Sequence, residues 1–171
     1  QPAGLSVHDG FLYVADAGNQ VIRRIPLHAT TPCLAFGESP GQYSTPFELW
    51  AGIPRQRGFL TDDGVHATEA YLNTPLFTAF SKTGVLYFSD TGNHRVRKVN
   101  LDRTITTVMG NGLAATSADG APALGQSVDT PMALVVDEYG NLFIASRSAV
   151  RVVTAGANGE AGGEDSVYTI Y

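Results

Sequence analysis

Two short stretches carry acidic, amide and cationic side chains at one spacing: Asp16, Gly18, Asn19 and Arg23 in DAGNQVIR, and Asp90, Gly92, Asn93 and Arg97 in DTGNHRVR. A carboxylate and a carboxamide three residues apart can share a hard cation or close a turn. A guanidinium further along can hold an anion or pair with the carboxylate. Imidazoles are offered by His8, His28, His66 and His94, and one thiol by Cys33. One cysteine allows no internal disulfide, no haem attachment and no cysteine zinc cluster.

Spacing separates these chemistries. A reaction centre is needed once in a chain, whereas a motif that builds a turn recurs wherever the turn recurs. Asp16 and Asp90 lie 74 residues apart, and the next equivalent position, Ser146 in LFIAS, lies 56 further on. A second marker gives the same interval: DGVHATEAYLNTP overlies DGAPALGQSVDTP, with Gly64 to Gly120 and Pro75 to Pro131 both 56 residues. The longer first interval is explained by an insertion from Leu27 to Pro46, rich in Pro, Gly, Ser and Thr, which a surface loop tolerates at little cost. The recurring residues are therefore read as turn builders. Asp16 and Asp90 end strands and accept N–H bonds across the turn, Gly18 and Gly92 supply a positive φ, and Asn19 and Asn93 tolerate a left-handed backbone. Arg23, Arg97 and Arg151 share one register and are read first as strand-edge pairing groups, second as an anion-binding stripe.

The elements that must position them are short strands. The second unit divides into LFTAFS, LYFSD, RVRKVN and ITTVMG, runs rich in β-branched and aromatic residues separated by the turn formers KTG, TGN and LDR. The third gives MALVVD, NLFIAS, AVRVVT and VYTIY, and the first GLSVH, FLYVAD, VIRRIP and FELWAG. No segment sustains a helical period, and ATEAYL offers one helical turn at most. The chain is predicted to be all-β, built of three β-propeller blades of four antiparallel strands. Blade 1 covers about 2–52 with its insertion at 27–46, blade 2 about 75–110, and blade 3 about 131–171. MALVVD, apolar almost throughout, is expected to be an inner strand packed on both sides.

The pattern of an apolar run, LYxxDxxNxxIR, a further apolar strand and DGxxAxxAxLxxP resembles NHL repeats, the blades of a six-bladed propeller family. Ser146 departs from it, and SRSAV is two residues shorter than DTGNHRV, so that hairpin must turn differently. The DG linkers look most like NHL units of large secreted bacterial proteins and teneurin-like ectodomains. The resemblance implies part or half of a six-bladed ring, completed by blades of a longer chain or by a second copy. It also implies an extracellular or cell-envelope location, and a non-catalytic scaffold that presents loops to a protein or glycan. Phe36, Tyr43 and Phe47 are the candidate partner contacts. The alternative is part of a metal-dependent propeller hydrolase or lyase, whose ligands converge on the central channel. His8 and Asp137 lie near inner-strand ends, but Ser81 and Lys82 stand at the matching place in the second unit, a thin constellation. No catalytic, cofactor or metal residue is assigned, and a divalent ion in the channel is left open.

Composition narrows the classes. The chain has 171 residues, 43% apolar and 16% charged, with a formal charge of −5. Arg outnumbers Lys nine to two, without a basic tract, so nucleic-acid binding is not expected. No apolar run approaches the length of a membrane-spanning helix.

Overall fold

The computed structural model describes residues 1–27, 47–58 and 63–170. Phe36, Tyr43, His28 and Cys33 lie outside the described residues.

Each repeat forms one four-stranded antiparallel sheet, with strands in chain order across it. The first holds β1 (Pro2–His8), β2 (Phe11–Asp16), β3 (Val21–Pro26) and β4 (Glu48–Ala51). The second holds β5 (Pro75–Phe80), β6 (Leu86–Asp90), β7 (Arg95–Val99) and β8 (Ile105–Met109). The third holds β9 (Leu134–Val136), β10 (Leu142–Ala145), β11 (Val150–Val153) and β12 (Val167–Ile170). The only helical turns among the described residues are three-residue 3₁₀ turns, one of them Ala67–Glu69 within ATEAYL.

The sheets pack face to face in chain order, and the alternation of side chains along each strand assigns one row to each neighbour. In β6 every residue is buried. Leu86 and Phe88 face the first sheet, in a core cluster with Ile22, Leu72 and Ile105. Tyr87 points the other way, into a cluster with Leu134, Leu142 and Ile144 of the third sheet. The same rule holds in the outer sheets: Tyr13 of β2 meets Phe80 with ring centroids 4.6 Å apart, while Leu142 and Ile144 of β10 face back onto the second sheet.

The expectation for MALVVD needs correction. Leu134 is buried, but Val135 is 62% exposed and Met132 is also open. The strand is covered on its blade-2 side only, because its other side forms the outer face of the three-sheet stack.

Candidate functional site

The richest polar constellation lies at the Asp90 and Asp16 hairpins, where hairpin and linker meet. Asp90 ends β6, fully buried. Its Oδ1 accepts the Asn73 N–H at 2.7 Å, its Oδ2 accepts the Asn93 side-chain amide at 2.8 Å, and Arg97 Nη1 lies 3.8 Å from Oδ2. The carboxylate therefore binds the linker backbone and its own turn's carboxamide, rather than N–H groups across the turn. Burial pushes its pKa up to about 6, against the opposing pull of the Asn73 N–H, the Asn93 amide and the Arg97 charge. Asp16 takes the same part with more water. Its Oδ2 accepts from Asn19 Nδ2 at 2.7 Å and Arg23 Nε at 3.2 Å, and its Oδ1 lies 3.4 Å from the Gln1 amino group. Desolvation is the largest single influence on Asp16, yet these bonds together outweigh it and hold its pKa below the ordinary value.

The glycines act otherwise than expected. Gly18 and Gly92 are not in the positive-φ region; the left-handed residues are Gln20 (φ 62°) and His94 (φ 49°), one place beyond the asparagines. Glycine is required by close approach instead. A Cβ on Gly92 would lie 2.6 Å from Asn73 Cγ, and one on Gly18 would lie 2.0 Å from the Gln1 nitrogen. Sequence reading also passed over the work of Gln20 and His94. Gln20 Oε1 accepts the Thr74 N–H at 2.6 Å, and His94 Nδ1 accepts the Thr130 N–H at 3.1 Å, so each hairpin clasps the residue that leads into the next blade. Their one-residue offset from Asn19 and Asn93 was a visible signal.

The arginines are linker anchors. Arg97 is buried, with Nη2 3.2 Å from Asp63 Oδ1 and Nη1 donating to the Tyr71 carbonyl at 3.3 Å. Asp63 also accepts the Thr107 N–H at 2.9 Å and its hydroxyl at 3.0 Å. The pattern returns one repeat later: Asp119 accepts the Thr169 N–H and hydroxyl at 2.9 and 2.8 Å and lies 3.4 Å from Arg151 Nη2. Arg97 and Arg151 are thus neutralised by the Asp of the DG linkers and do not form an anion-binding stripe. In the third unit Ser146 closes a tighter hairpin, its N–H and hydroxyl both bonding the Ala149 carbonyl at 2.9 and 2.8 Å.

Of the four channel candidates, His8, Asp137 and Ser81 make structural contacts and Lys82 is exposed. His8 stacks on Phe80 with centroids 4.4 Å apart. The Asp137 carboxylate accepts the N–H of Tyr139 and of Asn141 and the Asn141 side-chain amide, all at 2.8 to 2.9 Å, closing the β9–β10 turn. Ser81 Oγ accepts the Val85 N–H at 3.1 Å. Among the described residues no group of three or more His, Cys, Asp or Glu is placed to hold a metal ion. A second buried network locks blade 3 to blade 2: the Tyr87 hydroxyl donates to Glu160 Oε2 at 2.7 Å, Thr83 donates to Glu160 Oε1, and Lys98 Nζ donates to the Ala161 carbonyl at 3.1 Å. Burial and then Glu160 raise the Tyr87 pKa, while burial lowers that of Lys98 against the attraction of Glu160 and Asp165. Phe47, the one candidate partner contact within the described residues, stands just ahead of β4 and is exposed.

No protein-family model matches the chain. It is 29% identical over 158 residues to Protein SUPPRESSOR OF QUENCHING 1, chloroplastic, from Arabidopsis thaliana, covering 90% of this chain and 14% of that protein. Among solved structures it is similar to an auxiliary nutrient-binding protein from Bacteroides thetaiotaomicron (TM-score 0.60, 17% identity, 98% of this chain and 36% of that one). It is also similar to virginiamycin B lyase from Staphylococcus aureus (TM-score 0.54, 12% identity, 99% of this chain and 41% of that one). The chain spans less than half the length of these relatives, and the structural likeness establishes an all-β, propeller-like fold.

Proposed function

We propose that this chain is a non-catalytic binding and scaffold module: NHL-type blades of a propeller ring, completed by further blades, that present loops to a protein or glycan partner. One observation carries the reading. The carboxylates that recur with the repeat, Asp16, Asp63, Asp90 and Asp119, and the channel candidate Asp137 are each engaged in holding a turn or linker. What remains for function is the rim of a rigid stack, where loops of propellers commonly act. The nutrient-binding neighbour supports a binding role, and with the resemblance it supports a place outside the cell or in the envelope. The lyase neighbour keeps a metal-dependent hydrolase or lyase as the competing reading.

The test is titration against panels of oligosaccharides and peptides, with and without chelator. The expected result is saturable binding that survives chelation, leaves the ligand chemically intact, and is lost on deleting Leu27 to Pro46. Stoichiometric divalent metal retained through purification, with ligand turnover that chelation abolishes, overturns the proposal in favour of the enzyme. Binding that survives the deletion moves the contact surface away from the insertion.

A further inference from the structure

We infer that the outer side of blade 1 is the berth of a linker strand carried by a further propeller blade, and that this strand has the D-G-x-x-A-x-x-A-x-L-N-T character of residues 63–74. The inference rests on the ring reading above and says which chemical feature of the next blade is recognised.

Blades 2 and 3 show what such a berth holds. Ahead of blade 2 the linker runs along β8 of the blade it enters: the Gly64 N–H bonds the Ile105 carbonyl at 2.8 Å, and the Ile105 N–H bonds the Val65 carbonyl at 3.0 Å. It then buries Ala67, Ala70 and Leu72 against Leu86, Phe88 and Ile105. Finally it delivers the Asn73 N–H to Asp90 and the Tyr71 carbonyl to Arg97. The linker ahead of blade 3 repeats the edge pairing, with the Gly120 N–H on the Val167 carbonyl at 2.8 Å and the Val167 N–H on Ala121 at 3.0 Å.

Blade 1 carries the same receiving surface. Register places Pro2 opposite Asp16 as it places Pro75 opposite Asp90, and Leu49 opposite Arg23 as Thr107 opposite Arg97. Along this surface lies an open groove of about 290 Å³ lined by Pro2, Val14, Asp16, Arg23 and Phe47. Val14, Asp16, Arg23 and Phe47 correspond in register to Phe88, Asp90, Arg97 and Ile105, which the linker covers in blade 2. Phe47 is 56% exposed where Ile105 is 0%, and the Asp16 side chain is 13% exposed where that of Asp90 is 0%. Gln1 reaches the two groups that Asn73 holds, the Asp carboxylate and the Gly N–H, at 3.4 Å each; Asn73 does so at 2.7 and 2.8 Å. The groove therefore asks for an apolar side chain over Val14 and Phe47 and a main-chain N–H for Asp16. Arg23 asks for a carbonyl or a carboxylate. A linker strand offers all of these together. A plain apolar face of a second copy offers only the first.

The test grafts a copy of Asp63–Asn73 directly ahead of Gln1 in the full chain, so that the grafted leucine keeps its spacing to Pro2. Melting and amide exchange are compared with the ungrafted chain and with a graft whose leucine is aspartate. The graft is expected to raise Tm by roughly 4–8 °C and to slow exchange at Leu49 and in the Asp16 hairpin, while the aspartate graft does neither. An unchanged Tm and exchange, or an equal effect from the aspartate graft, overturns the inference. So does an ungrafted chain that runs at twice 18.1 kDa by light scattering with the Asp16 hairpin already protected, which would make a second copy the occupant. Ligand panels judge the binding function separately, so failure of the graft and failure of that function are distinguishable.

Discussion

At the scale of the residue, one motif in two settings shows burial and neighbouring donors together deciding how a carboxylate behaves. Asp90 carries a pKa of about 6, above its ordinary 3.8, so its contribution to stability is fully present below about pH 4 and is lost as pH rises through 6. In Asp90→Asn the amide nitrogen meets the Asn93 and Arg97 donors, and one acceptor is lost, a cost of roughly 1–3 kcal/mol at neutral pH. The gap between wild type and variant should then widen, by about 3 kcal/mol at most, as pH falls from 7 to 4. Urea unfolding at the two pH values reads this directly; a gap that narrows would mean that Arg97 and the amides hold the ionised form after all. His94 gives a second prediction. Because Gln20 performs the same clasp in blade 1, His94→Gln should fold within about 0.5 kcal/mol of wild type, whereas His94→Ala should lose about 1–2 kcal/mol through the orphaned Thr130 N–H. Thermal unfolding of the two variants distinguishes a clasp from a bystander. Of this site, Asp, Asn and their recurrence were legible in the sequence. The true reason for the glycines was not, since it is the approach of Asn73 from a linker distant in sequence, and no local pattern encodes that approach.

At the scale of the element, strands and their order were legible because turn formers punctuate every run and the repeat could be checked against itself. The linkers were legible only as markers of period. Their Asp63 and Asp119 turn out to fasten each outer strand, through a threonine N–H and hydroxyl, to a buried arginine of the strand beside it. Removing the Asp63 carboxylate leaves the Thr107 N–H and hydroxyl without their acceptor and Arg97 Nη2 without its salt-bridge partner, while Arg97 Nη1 keeps the Tyr71 carbonyl. Asp63→Ala should therefore destabilise by roughly 2–4 kcal/mol, and Asp63→Asn, which keeps one acceptor oxygen, by less. The companion change Arg97→Met should cost less in the Asp63→Ala background than in wild type, because its bond to Asp63 is already gone and only its contacts with Asp90 and the Tyr71 carbonyl remain to be lost. A double-mutant cycle by chemical denaturation settles the coupling, and strict additivity of the two changes would remove the pairing role.

At the scale of the whole molecule, blade 2 presents two unlike faces, Leu86 and Phe88 toward blade 1 and Tyr87 toward blade 3. Blade 2 uses both. The outward row of blade 3 is Val135, Phe143, Val152 and Tyr168, aligned across the sheet by register, and it stands where Tyr87 stands in blade 2. Val135 and Tyr168 are exposed there, forming an apolar sheet face of the kind that invites association. Because these side chains are exposed, replacing them should leave the stack's own stability within about 0.5 kcal/mol. The double variant Val135→Asp, Tyr168→Lys is thus expected to keep the wild-type Tm while lowering hydrophobic-dye binding and any concentration-dependent growth in mass. Leu142→Asp, one residue away in sequence from Phe143 but facing blade 2, is expected to unfold blade 3 altogether, since it places a charge in the closed interface. If the double variant instead lowers Tm by several degrees, the row is packed within the stack and association must use another surface. If Tm holds and association falls, the side of blade 3 that corresponds to the blade-2 side packed against blade 3 is the surface through which the stack associates.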